Sequence, residues 1–269
     1  MITFPNAKIN IGLNILNRRD DGYHNIESLF YPINLQDALE IIPTSGAFEF
    51  TSSGLAIDCA VDDNIVVKAY RLLCADFHLS NVKIHLHKNI PFGAGLGGGS
   101  ADAAFALSML NSMFELNISD EKLKTYAAQI GADCAFFIKN KPAIAEGIGD
   151  VLSLYDIDLK GKFLLLIKPD VSVATASAYK YVNPQMPKLC LRDSLQKPIS
   201  EWKNCVANDF ELSVFKQYPA LSEIKQSLYE MGAVYASMSG SGSSIYGIFD
   251  KKPMENEYIK KLQRFTIEL

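Results

Sequence analysis

The densest run of chemically suggestive residues is Pro91-Phe-Gly-Ala-Gly-Leu-Gly-Gly-Gly-Ser100. Gly93, Gly95, Gly97, Gly98 and Gly99 crowd a stretch where a background of about 7% glycine supplies roughly half of one. Without a Cβ, the backbone can turn through positive φ and bring several N–H groups up to one ligand. The run empties into a segment rich in alanine, leucine and methionine, Ser100–Leu116, that reads as a helix. A helix start offers unpaired N–H donors and the positive end of the macrodipole, so strand, loop and helix together suit a phosphate. Two commoner phosphate loops do not fit. A Walker A loop ends in Gly-Lys-Ser/Thr, whereas Gly98-Gly99-Ser100 has no lysine. The dinucleotide fingerprint can be laid on Gly93, Gly95 and Gly98, but no acidic residue suited to a ribose follows about twenty residues on. A plain flexible hinge is the bland alternative. Such linkers pair glycine with serine and few apolar residues, while this run is flanked by an alternating strand and a strong helix former.

Three other places could do chemistry. Lys8 falls on the polar side of a strand whose opposite side is Ile9, Ile11, Leu13 and Ile15. It is either an edge lysine reaching for water or a site residue. Asp133, in Gly131-Ala-Asp-Cys-Ala-Phe-Phe-Ile138, is a lone carboxylate among small and apolar residues. It either needs a buried partner or caps a helix. Met238-Ser-Gly-Ser-Gly-Ser-Ser-Ile-Tyr-Gly247 reads as a hairpin turn or as a second loop closing over phosphate or substrate.

The elements that must position these residues can be read from periodicity. Strands are expected at the alternating N-terminus, Ile26–Ile33, Ala38–Ile42, Ala47–Thr51, around Val82, Ile84 and Leu86, and at Lys162–Lys168. Asn64–Phe77 has helical spacing, and a further helix runs from the N-cap Ser119 to Gly131. Ile144–Leu159 reads as a connection between two halves, and Ser172–Tyr181 as a short helix. Val182–Glu201, with three prolines, reads as a loop. After it come a helix at Ala220–Met231, strands Val234–Ser239 and Ser244–Phe249, and a charged final helix at Met254–Phe265. Strands and helices mix without a regular βαβ beat, which points to an α+β architecture with largely antiparallel sheets.

Composition narrows the class. A chain of 269 residues with 48% hydrophobic residues can bury a substantial core without disulfides or metal staples. The net charge of −4 argues against a broad nucleic-acid or anionic-membrane surface, though not against a nucleotide pocket. No apolar run approaches a membrane span, and the N-terminus lacks a basic stretch followed by an apolar one. Five scattered cysteines with no CxxC pair suit reduced thiols, so a cytoplasmic location is expected.

Taken together, the glycine run, the segment around Lys8 and Ser239–Gly242 resemble the three motifs of the GHMP kinase superfamily, the group of galactokinase, homoserine kinase and mevalonate kinase. Within it, Pro5-Asn-Ala-Lys-Ile-Asn10, Asp21-Gly-Tyr-His24, Asp63-Asn64, the Gly-Leu-Gly-Gly-Gly-Ser form of the loop, Gly131-Ala-Asp133, Ala145-Glu-Gly147 and Asn208-Asp209-Phe210 are most similar to one branch. That branch phosphorylates a cytidine-diphosphate-linked methylerythritol in the non-mevalonate route to isoprenoid precursors.

The resemblance implies a two-domain fold. Its N-terminal part (residues 1–155) would be an ATP-binding ribosomal-protein-S5-domain-2-like α/β domain, and its C-terminal part (156–269) a ferredoxin-like α+β domain. It implies Lys8 and Asp133 as catalytic residues, Asp133 taking the hydroxyl proton and Lys8 steadying the attacking oxygen. Asn64, Ile65 and Lys88 would lie near the adenosine of ATP, with Pro91, Gly93, Ala94, Gly95, Leu96, Gly97, Gly98, Gly99 and Ser100 around its phosphates. Asn10, Tyr23, His24, Thr175 and Tyr179 would hold the substrate. Mg²⁺ would arrive with the nucleotide, touching Ser100 and more weakly Glu146, without a metal site of protein ligands alone. A monomer or homodimer, with no nucleic-acid or membrane partner, is expected. Lys168-Pro-Asp170 and Val173-Ala174 depart from the branch's His-Pro-Gly and Ile-Pro steps. A kinase for another alcohol, of mevalonate or homoserine type, is the nearest alternative, and a catalytically silent nucleotide-binding relative a more distant one.

Overall fold

The alternation at the start of the chain becomes a long strand. In the computed structural model, which describes residues 1–269, a short strand β1 (Ile2–Thr3) precedes β2 (Asn6–Arg18), and β3 (His24–Gln36) returns after a polar turn. Both faces of β2 are buried from Asn6 to Ile15, so Lys8 and Asn10 are as enclosed as their aliphatic neighbours. Next come β4 (Ala38–Pro43), β5 (Glu49–Gly54), α1 (Ile65–Phe77) and β6 (Val82–Lys88). The glycine run leads into α2 (Gly98–Met113), followed by α3 (Asp120–Ile130), α4 (Cys134–Lys139), β7 (Ala143–Glu146) and β8 (Val151–Leu154). The remainder holds β9 (Phe163–Lys168), α5 (Thr175–Lys180), α6 (Leu191–Leu195), α7 (Phe210–Gln217) and α8 (Pro219–Glu230). Three strands finish the chain: β10 (Tyr235–Met238), β11 (Ile245–Phe249) and β12 (Gln263–Glu268).

These elements form two compact units, each assembled from several segments: residues 1–7, 35–92 and 97–141, and residues 8–34, 93–96 and 142–269. The units are thus interleaved along the chain. The first unit holds a sheet in the order β1-β4-β6-β5, antiparallel except for the β5–β6 pair, together with α1 to α4. One face of α1 is buried through Val66, Val67, Ala69, Tyr70 and Leu73. Helix α2 buries residues around most of its circumference, as its alanine-rich sequence allows.

The second unit holds two sheets, β2-β3-β7-β8 and β10-β11-β9-β12. Strand β9 sits between β11 and β12, and its Leu164 to Ile167 are fully enclosed, as an unbroken aliphatic run requires. Leu165 and Ile167 pack with Phe210, Val214, Leu221, Ile224 and Leu228 of α7 and α8 in the core.

The mixed α+β class and its antiparallel bias are as the sequence predicts. Several elements are not. The expected final helix at Met254–Phe265 is a 3-10 turn at Ile259–Lys261 followed by β12, which pairs with β9 in register Ile267 to Leu164. The pairing with an apolar strand outweighs the helical content of the charged residues. The expected connection at 144–159 contains the β7–β8 hairpin, with Ile144 and Ala145 fully buried. The expected loop at 182–201 contains α6, anchored by buried Leu191 and Leu195.

Candidate functional site

The glycine loop alternates anchors with accessible residues. Ala94, Leu96 and Gly98 are buried, while Gly93 is exposed and Gly95, Gly97 and Gly99 are half-buried. Gly93, Gly95 and Gly97 all take positive φ. Gly97 is the N-cap of α2, and no side chain caps that helix, so its first N–H groups are left for a ligand. Gly98 could not be another residue without disturbance: a Cβ there would fall 2.7 Å from Cγ2 of Ile90. A backbone pressed this closely onto its support, with an uncapped helix start, fits an anionic phosphate chain.

Within the second unit, the residues of the loop's first half are held from two directions. The backbone N–H of Lys8 donates to the carbonyl of Leu96 at 2.9 Å. The hydroxyl of Ser239 donates to the Gly95 carbonyl at 2.8 Å, and the Ser244 N–H donates to the Ala94 carbonyl at 3.3 Å. The turn between β10 and β11 is a hairpin, and it also supports the first loop. Asn208 secures that turn, its Nδ2 donating to the carbonyls of Met238 and Gly240, both at 2.8 Å. Sequence reasoning noted Asn208 and Ser239 only as parts of motifs. Their supporting role depends on pairings over long sequence separations.

Lys8 is 3% exposed, which removes the edge-lysine reading. Its ammonium donates to Asn10 Oδ1 at 2.6 Å and stands 4.5 Å from the Phe30 ring centre. Asn10 Nδ2 donates to the Ser28 hydroxyl at 2.8 Å, its N–H donates to the Ser239 hydroxyl at 3.2 Å, and its carbonyl accepts from the Tyr246 hydroxyl at 2.7 Å. Such a satisfied polar group fixes both side chains.

Also in this unit, the His24 and Tyr179 rings stack with centres 4.9 Å apart and planes 15° from parallel, and Phe210 meets Tyr179 edge-on at 4.8 Å. Burial, and secondarily the Arg18 charge, depress the His24 pKa. Tyr23 is 62% exposed beside them in sequence. The Thr175 hydroxyl lies 3.1 Å from that of Ser241 in the supporting turn. Where the sequence departs from the family pattern, the Lys168 ammonium donates to the carbonyls of Pro169 and Val171 at 2.6 and 3.2 Å, in a turn that the Val171 N–H also closes by donating to the Pro169 carbonyl.

In the first unit, Asp133 is half-exposed at the start of α4, with helical φ and ψ and no side-chain capping bond. It occupies the N-cap position of that helix without making the capping bond. The next residue, Cys134, is buried, and its thiol is pushed up to about 11 by desolvation, partly offset by a hydrogen bond with Ser100 at the end of the glycine loop. Asp133 thus adjoins, along the chain, a residue that touches the loop.

Two of the residues expected near the adenosine have partners within the protein. Asn64 is the N-cap of α1, its Oδ1 accepting from the Val66 N–H at 2.9 Å, while Ile65 packs against Gly99. Lys88 faces the interior: its side chain is 1% exposed and bonded to Asp37 and Asp102, so it presents no ammonium to a nucleotide. The signal was available, since residue 88 continues the buried period-two face of Val82, Ile84 and Leu86.

Comparison with known proteins agrees with this geometry. The profile for the GHMP kinases N terminal domain matches residues 64–141, and that for the GHMP kinases C terminal matches residues 190–265. The chain is 58% identical over 252 residues to the 4-diphosphocytidyl-2-C-methyl-D-erythritol kinase of Bacteroides fragilis, covering 93% of this chain and 92% of that protein. It is 39% identical over 264 residues to the enzyme of the same name from Chlorobium limicola, covering 91% and 87%. Among solved structures, a 4-(cytidine 5'-diphospho)-2C-methyl-D-erythritol kinase superposes with a TM-score of 0.83 at 29% identity, covering 100% of this chain and 99% of that one. The homoserine kinase of Cytophaga hutchinsonii shares the fold, with a TM-score of 0.70 at 15% identity over 98% and 94% of the two chains.

Proposed function

The chain belongs to the GHMP kinase family, among its 4-diphosphocytidyl-2-C-methyl-D-erythritol kinases, and from that premise we propose that it transfers the γ-phosphoryl group of ATP to the 2-hydroxyl of 4-diphosphocytidyl-2-C-methyl-D-erythritol. The observation that carries this reading is the loop itself, whose accessible glycines alternate with buried anchors and run into a helix start that no side chain caps.

Phosphoryl transfer asks the protein for in-line positioning and for neutralisation of spread negative charge, with little covalent work. In this reading the amides from Gly93 to Ser100 hold the phosphates. Mg²⁺ brought with the nucleotide supplies further charge neutralisation, and Ser100 is the residue suited to reach it. Asp133 takes the proton of the attacking hydroxyl as the O–P bond to the acceptor forms and the bond to ADP breaks. Lys8, fixed by Asn10, steadies the attacking oxygen. Asn10 orients the polyol, and Tyr23, His24, Thr175 and Tyr179 hold the cytidine end, where a flat base suits aromatic faces and polar edges choose among bases.

The test is ATP consumption with the cytidylyl substrate beside mevalonate and homoserine, with the product's phosphate located by ³¹P NMR. Turnover restricted to the cytidylyl compound, with phosphate on the 2-oxygen, is expected. Phosphorylation of mevalonate or homoserine alone would defeat the assignment.

A further inference from the structure

Beneath the start of α2 lies a group of charges that the phosphoryl-transfer reading leaves unused. The side chains of Lys88, Asp37 and Asp102 are at most 2% exposed, and the Lys88 ammonium is bonded to both carboxylates, 2.9 Å from Oδ2 of Asp102. Enclosed ions are costly unless paired. One ammonium faces two carboxyl groups here, and above all burial pushes the Asp102 pKa well above the usual carboxylate range. Its Oδ1 is enclosed without a hydrogen-bond partner. Apolar residues of the same volume commonly serve stability as well as a buried ion pair does, so this group calls for another reason.

Its placement supplies one. Asp37 Oδ1 accepts from the N–H groups of Asn89 and Ile90, at 2.6 and 2.8 Å, and so grips the chain just before the glycine run. Asp102 belongs to α2, just after its first turn. Lys88 joins the two, and its Nζ lies 3.1 Å from where a Cβ on Gly98 would stand. A single ammonium therefore links the entry of the loop to the helix that receives it.

We propose that Lys88, Asp37 and Asp102 are positioning residues that hold the first turn of α2 so that the amides of Gly98, Gly99 and Ser100 face a phosphate, Lys88 acting through the backbone and not on the adenosine. The inference rests on the reading of the loop as a phosphate cradle. It adds to that reading a reason why a lysine and two aspartates are enclosed beneath glycines.

The experiment compares binding of inorganic triphosphate, ADP and adenosine to the full-length protein and to Lys88→Met, alongside steady-state kinetics. Misplaced amides weaken triphosphate and ADP by a common factor, up to roughly 10²-fold, with adenosine unchanged. The KM for ATP rises while the KM for the alcohol substrate holds. Asp102→Asn, which keeps an oxygen for the ammonium, retains more triphosphate affinity than Asp102→Ala. Should Lys88→Met fail to fold, the Lys88→Met/Asp37→Asn double variant, which removes one buried cation together with one buried carboxylate, takes its place with the same expectation. Loss of adenosine affinity with triphosphate unchanged, or no change in any affinity, overturns the proposal. A wild-type protein that binds adenosine but not triphosphate would instead sink the phosphate-cradle reading and this inference with it.

Discussion

The Ser239 hydroxyl donates to the carbonyl of Gly95 at 2.8 Å, and the two backbones are so close that a Cβ on Gly95 would fall 2.0 Å from the Ser239 carbonyl oxygen. Two glycine-rich segments far apart in sequence thus act as one support. Gly95 also has φ of +73°, so Gly95→Ala meets both a steric conflict and an unfavourable backbone. The backbone alone costs about 1–3 kcal/mol. The expected result is a lower urea midpoint together with a raised KM for ATP. An unchanged KM would show that the loop's path does not matter to nucleotide binding.

Asp133 caps nothing in α4, so its replacement is not expected to unfold that helix. A positioned general base contributes roughly 10²–10⁴-fold. Asp133→Ala is therefore expected to lose that much turnover while binding ATP with nearly unaltered affinity, as read by single-turnover transfer and by nucleotide titration. A variant with near-native turnover removes Asp133 from the chemistry.

The His24–Tyr179 stack gives a pH signature. A depressed imidazole pKa means that the folded chain binds this proton less readily than the unfolded chain. The associated stability is then complete above about pH 6.5 and is lost as the pH falls through the lowered folded value. The KM for the cytidylyl substrate is expected to stay flat from about pH 8 to neutrality and to rise only at acidic pH, as His24 takes up its proton beside Arg18. Stacking on a base is worth about 1–3 kcal/mol, so Tyr179→Ala should raise that KM roughly 10- to 100-fold and leave the KM for ATP alone. Equal effects on both constants would place Tyr179 in the scaffold, not the substrate contact.

What was legible in the sequence follows a physical line. Helix α3 begins at Ser119, whose side chain accepts from the Lys122 N–H, and ends at Gly131, because caps are local and written in residue types. The glycine loop was equally plain, since only glycine tolerates such crowding. β12 was not: Gln263–Glu268 is a strand because β9 offers an edge, and nothing local announces a partner. Lys88 lay between these cases. Its place on the buried face of β6 could be counted, but the aspartates that make burial tolerable come from β4's approach and from α2. Lys8 and Asn10 show the same limit, for alternation marked them as a polar face without revealing that this face is enclosed too.

Asn208 offers the sharpest contrast between shape and charge. Its Nδ2 donates to the Met238 and Gly240 carbonyls, and its Oδ1 accepts from the Phe210 N–H at 3.0 Å, all within 2% exposure. Asn208→Asp keeps the outline but turns an oxygen toward two carbonyl oxygens, leaving three buried acceptors in conflict. Asn208→Ala takes one donor from each of the same carbonyls, at about 1–3 kcal/mol for a group left unmet, but introduces no charge. The aspartate variant is therefore expected to be the less stable of the two in urea unfolding at neutral pH and to recover part of the difference on mild acidification, as its carboxyl gains a proton it can donate. Both variants should raise the KM for ATP, because the turn they loosen supports Gly95. Should the aspartate variant match wild type in stability and in the KM for ATP, the turn is held by β10 and β11 alone and Asn208 is not its anchor.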